Sequence, residues 1–111
     1  KVRNDALGQF YAKSMNDTGI EFLNPPMDGS DVPTSRSMIF VTPDGERSMN
    51  TYLGISAELG SEDVQDEFGS AAKNVFLEGY LFDKDKGKEA FKRLSRSCRA
   101  GGGQAVSGNS F

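Results

Sequence analysis

Glu78 closes Asn74–Glu78 (NVFLE), a short apolar run whose composition predicts a strand buried on both faces. Open α/β sheets gather ligand-binding groups at the carboxyl ends of their strands, so an acid there is placed to accept hydrogen bonds from a polar ligand. The plainer alternative is an exposed strand-end carboxylate capping Gly79-Tyr80. A second surface follows from alternation in two strand-like runs, Ser37–Thr42 and Arg47–Tyr52. Side chains alternate across a strand, so Ser37, Ile39, Met49 and Thr51 share one face of such a pair. Met38, Phe40 and Tyr52 take the other, and a one-residue slip in register would exchange the two sets. Either set, or both, can also serve packing alone. Asp5 and Gly8 read most simply as a helix N-cap and a small residue at a helix–sheet contact. Arg47 and Asn50 fit solvent-facing strand positions, and Gly54-Ile55-Ser56 fits either a simple turn or a close backbone approach to a ligand.

Other chemistries are excluded or weak. The chain has no histidine, which removes the commonest metal ligand and general base, so zinc-site and Ser-His-Asp readings fail. Cys98 is the only cysteine; it excludes an internal disulfide and fits a reducing compartment. It lies on a helix's apolar side with no base to activate it, so packing is its expected role. Asp83-Lys84-Asp85-Lys86-Gly87 begins like a calcium loop, but the twelfth position would be Leu94 instead of a bidentate glutamate. Gly101-Gly102-Gly103 lacks the Gly-Lys-Ser/Thr of a phosphate-binding loop. No metal site is expected. A net charge of −3 argues against general nucleic-acid binding. The basic stretch Lys84–Arg99 spreads its charges around a helix and reads as a solvated face. Asn16-Asp17-Thr18 matches a glycosylation sequon, treated as coincidence because nothing else points to secretion. No apolar run approaches the ~18 residues of a membrane span and no signal peptide opens the chain, so a soluble cytoplasmic protein without membrane partners is expected.

These groups need elements to hold them. At 111 residues the chain is about one domain, and 36% hydrophobic content makes its core thin. Asn4 or Asp5 can cap a helix over Ala6–Asp17, with Leu7, Phe10 and Tyr11 on one apolar stripe and Gly19 ending it. Ile20–Leu23 alternates like a strand until Asn24-Pro25-Pro26 stops it. Pro43-Asp44-Gly45-Glu46 predicts the hairpin turn, because proline fixes φ and Asp-Gly tolerates turn and left-handed geometry. Ser61-Glu62-Asp63 opens a helix to about Phe68, with its acids at the positive end of the dipole. A last helix runs from about Lys86 to Arg99 with Ala90, Phe91, Leu94 and Cys98 on one side. Gly101–Gly103 breaks it, and Gln104–Ser107 can begin one more strand. Strands alternating with helices predict βαβ units on a parallel sheet, with the hairpin as a small antiparallel excursion.

Three blocks in this order resemble the ribokinase-like (PfkB) carbohydrate and nucleoside kinases, in wording nearest the adenosine-kinase-like branch. They are Val2–Phe22, with Asp5-x-x-Gly8 and Thr18-Gly19-Ile20; Thr34–Leu59, with Asp44-Gly45-Glu46-Arg47; and Val75–Phe82 (VFLEGYLF). Ile55-Ser56 departs from the commoner Ala-Asn or Ala-Ser after Gly54. The resemblance implies a partial Rossmann-like parallel sheet core with a small antiparallel β lid. Residues 1–19 and 54–111 would be core segments and 20–53 the lid, together a single truncated domain plus lid. It implies a phosphotransferase that moves the γ-phosphoryl group of ATP, with Mg²⁺, to a primary hydroxyl of a nucleoside or sugar. It also implies that Glu78 hydrogen-bonds sugar hydroxyls, that the Ser37, Ile39, Met49, Thr51 face covers the substrate, and that Asp5 and Gly8 lie near it. The family's substrate-binding asparagine would precede Lys1. Its Asp-Thr-x-Gly-Ala-Gly-Asp block, with the catalytic base and the nucleotide site, would follow the end of this chain. The chain is therefore expected to be an inactive fragment carrying no catalytic and no cofactor-binding residue. The alternative is a non-catalytic binding or homodimerisation module built on the exposed edges and apolar face of the lid.

Overall fold

The computed structural model describes residues 1–108. The chain divides into two compact units, Lys1–Ser56 and Ala57–Phe111, the second described as far as Gly108. The fold is mixed α/β.

The first unit holds helix α1 (Ala6–Asp17) and an antiparallel hairpin of β1 (Arg36–Val41) and β2 (Arg47–Tyr52). Asp5 caps α1, its carboxylate accepting from the Gly8 N–H at 2.8 Å. The helix ends where expected: Ile20 N–H reaches Met15 O at 3.0 Å and Gly19 N–H reaches Asn16 O at 3.0 Å, the paired bonds of a Schellman motif. The hairpin turn is also as expected. Thr42 O accepts from Gly45 N–H and Glu46 O accepts from Thr42 N–H, each at 2.9 Å, with Gly45 at φ +85°. The ladder pairs Ser37 with Thr51 and Ile39 with Met49.

One expectation for this unit fails. Ile20–Leu23 forms no strand; instead Met27 makes an isolated parallel bridge to Arg3, with bonds from Asn4 N–H and to Val2 O. The stretch alternates correctly but no neighbouring strand meets it, and alternation alone cannot supply a ladder. The stripe of α1 is formed but not covered, since Leu7, Phe10 and Tyr11 all stay exposed. Val2 and Ile55 are the buried apolar side chains here, joined by the buried Thr34.

The second unit runs through α2 (Asp66–Ser70), β3 (Asn74–Glu78), α3 (Asp85–Ala100) and β4 (Gln104–Gly108), with β3 and β4 paired in parallel. This is a βαβ step: a crossover helix returns the chain to extend the sheet in the same direction. Gly101 caps α3, and Gly103 N–H bonds Cys98 O at 2.8 Å as the chain turns into β4. Val64, Leu77, Ala90 and Cys98 form the buried apolar set, and Cys98 Sγ lies 3.7 Å from Ala72 O, in the packing role expected of it.

The sequence predicts one helix over Ser61–Phe68; the structure has a 3-10 turn at Ser61–Asp63 and then α2. Val64 at φ −120°, ψ 125° and Gln65 at φ −97°, ψ 149° are extended between them, which drops the Val64 side chain into the core. Burial of one apolar side chain outweighs the local helix preference of its neighbours. β3 is likewise not buried on both faces. Leu77 is buried on the face that α3 covers, whereas Phe76, on the other, is 63% exposed. Among the described residues, no helix is long and apolar enough to cross a membrane.

Candidate functional site

The hairpin leaves the first unit through a tightly bonded root. Thr34 is 4% exposed, yet every polar group of its side chain is used. Its hydroxyl donates to Asp5 Oδ1 at 2.7 Å and accepts from Arg3 N–H at 3.0 Å, while its own N–H donates to Asp5 Oδ2 at 2.9 Å. Asp5 therefore caps α1 and holds the entry strand with the same carboxylate. Those donors stabilise the ionised form, first the Thr34 N–H, then its hydroxyl, then the Gly8 N–H, and they lower the Asp5 pKa to about 2. Gly8 is required beside them, because a Cβ would lie 1.8 Å from Arg3 O. The exit strand is locked to the same place. Ile55 N–H bonds Pro33 O at 2.9 Å, and Gly54 sits at φ +51° where a Cβ would come within 2.3 Å of that oxygen. Gly54-Ile55-Ser56 is thus a close backbone approach to the chain's own Pro33, the turn alternative. Asp5 and Gly8 likewise take the cap and contact roles.

Beyond the root the hairpin is open. All six residues of β1 and all six of β2 are exposed. Ser37, Ile39, Met49 and Thr51 share one face, and the Ser37 and Thr51 hydroxyls bond across the strands at 2.8 Å. That face offers an apolar centre and a hydroxyl pair. On the opposite face Arg36 stacks over Tyr52 at 5.9 Å, with Met38 and Phe40 exposed. Neither face is the buried one. Beside the root, a hollow of about 320 Å³ is walled by Leu7, Phe10, Tyr11 and Phe22 and reached by Thr34 and Ser35. Tyr11 and Phe22 meet edge-on at 5.6 Å.

In the second unit Glu78 ends β3 level with Gly108 of β4, so both strands present their carboxyl ends together. Glu78 is exposed and its side chain does not cap the following 3-10 turn, Gly79–Leu81. Among the described residues no hydrogen bond or ion pair engages its carboxylate, which leaves it available to a ligand. Arg93 Nε donates to Asp66 at 2.8 Å and its Nη1 to Ser61 O at 2.8 Å, tying α3 to the turn before α2. That hydrogen bond lowers the Asp66 pKa and raises that of Arg93. Among the described residues, no group of three or more acidic, cysteine or histidine side chains is placed to hold a metal.

The sequence pattern of the pfkB family carbohydrate kinases matches residues 1–108. The chain belongs to that family. Its fold superposes on adenosine kinase from Sinorhizobium meliloti with a TM-score of 0.86 and 44% identity, over 96% of this chain and 32% of that one. A probable sugar kinase protein from Rhizobium etli CFN 42 gives 0.87 and 42%, over 96% and 32%. An E. coli protein provisionally called ribokinase II, in complex with ATP and Mg²⁺, shares the fold at a TM-score of 0.76 and 17% identity, over 96% and 34%. The ribokinase-like fold inferred from the three sequence blocks is therefore correct. The chain spans about a third of the length of these structures. None of the curated proteins compared matches it.

Sequence reading missed the part played by Thr34. Nothing about a threonine after a proline signals burial, and its partner Asp5 lies 29 residues away.

Proposed function

We propose that the protein to which this chain belongs is an ATP- and Mg²⁺-dependent kinase that transfers the γ-phosphoryl group to a primary hydroxyl of a nucleoside, adenosine-like, or of a sugar. Residues 20–53 serve as the lid and residues 1–19 and 54–111 as core segments. The observation that carries this function is the free-standing hairpin, unburied on both faces yet rooted without slack, in a chain 44% identical to an adenosine kinase. Phosphoryl transfer is mostly positioning and charge stabilisation, and a flap that excludes water from the acceptor serves both.

Within it, Ser37, Ile39, Met49 and Thr51 contact the acceptor, the apolar pair against its body and the hydroxyl pair against its polar edge. Glu78 accepts hydrogen bonds from the acceptor's hydroxyls. ATP and Mg²⁺ are held by residues outside this chain, which by itself is inactive, and the working compartment is the cytoplasm. A phosphoryl-transfer screen on the full-length protein, with adenosine, ribose and fructose as acceptors, tests the assignment. Turnover of at least one acceptor is expected; none with any of them, from folded protein, would overturn it.

A second function draws on the exposed Met38 and Phe40 of β1, which offer a surface for homodimer pairing. Sedimentation of the full-length protein and of its Phe40→Ser variant separates the two, since only pairing through the hairpin makes the variant dissociate.

A further inference from the structure

The root does more than hold the hairpin on. Its bonds stop just outside the ladder on each side: Thr34 is followed by Ser35 and then β1, and Tyr52 of β2 by Leu53 and then Gly54. The entry side is fixed by three bonds, two from Thr34 to the Asp5 carboxylate and one from Arg3 to the Thr34 hydroxyl. The same carboxylate holds the Gly8 N–H, so the entry strand is tied to the first turn of α1. On the exit side the Ile55 N–H to Pro33 O bond fixes the second strand to the first. Leu53 O also accepts from the Ser56 N–H at 3.2 Å. Ser35 and the N-terminal side of Leu53 therefore remain as backbone hinges between a fixed base and a seventeen-residue paddle, 36–52, whose own six strand pairs keep it rigid.

We infer that Thr34 and Asp5 are positioning residues which set the direction of the hairpin relative to α1. The hydroxyl of Thr34 is the decisive group, because it is the one atom that both donates to Asp5 and accepts from Arg3. Without it the entry strand keeps its covalent path but loses its fixed orientation, and the hairpin samples a wider arc. A flap that points correctly for only a fraction of the time weakens the apparent affinity for whatever it covers by that fraction and leaves the closed complex unchanged. The consequence for turnover rests on the kinase function proposed above; the direction of the hairpin does not.

Spin labels on Lys13→Cys in α1 and Glu46→Cys at the hairpin turn, in the full-length protein, report that direction as a distance distribution. Thr34→Val is expected to broaden it, and Thr34→Ser, which keeps the hydroxyl, to restore the parent width. In kinetics Thr34→Val raises the acceptor KM about tenfold with kcat within about twofold, whereas a loss of folded protein would lower kcat and spare KM. Should Thr34→Val not fold, Asp5→Asn, which removes the carboxylate charge and leaves one oxygen for the Thr34 and Gly8 donors, carries the same distance comparison. An unchanged distribution in a folded variant with a lowered melting temperature would overturn the inference, because the root would then only stabilise. A broadened distribution in a protein that phosphorylates nothing would uphold the positioning role and reject the kinase function.

Discussion

The root of the hairpin and the hairpin itself, joined by single residues, are built on opposite principles. At the root Thr34 and Ile55 are enclosed, and the buried hydroxyl is fully bonded. In the two strands every residue is exposed, and Phe40 and Val41 keep 65% and 67% of their surface in contact with solvent. Order at the root comes from a few satisfied polar groups around the enclosed Thr34 side chain, where leaving a donor unpaired is costly. Order in the strands comes only from their mutual ladder. A surface that needs a free, apolar flap with a fixed direction separates the two jobs in this way.

Substitutions on either side of that divide should differ sharply. Ile55→Ala, which empties an enclosed side chain beside the root, should cost about 2–5 kcal/mol in urea unfolding followed by circular dichroism. A loss near that expected for the hairpin surface would erase the contrast. Thr34→Val leaves the Arg3 N–H without its partner and takes one of the two donors from Asp5 Oδ1, and should cost about 1–3 kcal/mol, with Thr34→Ser recovering most of it.

The root should also carry a pH signature. The Asp5 pKa is lowered in the folded protein, so the unfolded chain binds its proton first as pH falls. Its contribution is full above the ordinary carboxylate pKa of about 3.9 and disappears as pH drops through the folded value of about 2. Asp5→Asn should flatten the acid limb of the stability curve between those limits. A limb as steep as the parent's would show that other carboxylates govern it. Phe40→Ser, by contrast, should shift unfolding by less than about 0.5 kcal/mol, since it removes an exposed side chain from a strand with no core behind it.

The local features of this architecture were legible in the residues. Asp5 and Gly19 bound α1, Pro43-Asp44-Gly45 made the turn, and NVFLE made a strand, because each depends on backbone preferences within a few positions. The order of strands and helices foretold the parallel pair as well. What escaped depended on distant partners. Ile20–Leu23 had the right alternation but no neighbour; Val64 broke a promising helix to reach the core; β3 is covered on one face instead of two. The candidate site divides in the same way. Periodicity placed Ser37, Ile39, Met49 and Thr51 on one face, and the register agrees. The Asp5–Thr34 root spans 29 residues of sequence and left no pattern to find.

The most direct test compares the two faces of the hairpin in the full-length protein through the acceptor KM of Met49→Asp and Phe40→Asp. Loss of one apolar contact worth about 1.5–3 kcal/mol raises KM at least about tenfold, so Met49→Asp should do so while Phe40→Asp stays close to the parent. Equal effects, or a larger one for Phe40→Asp, would contradict the assignment of the Ser37–Ile39–Met49–Thr51 face to the substrate.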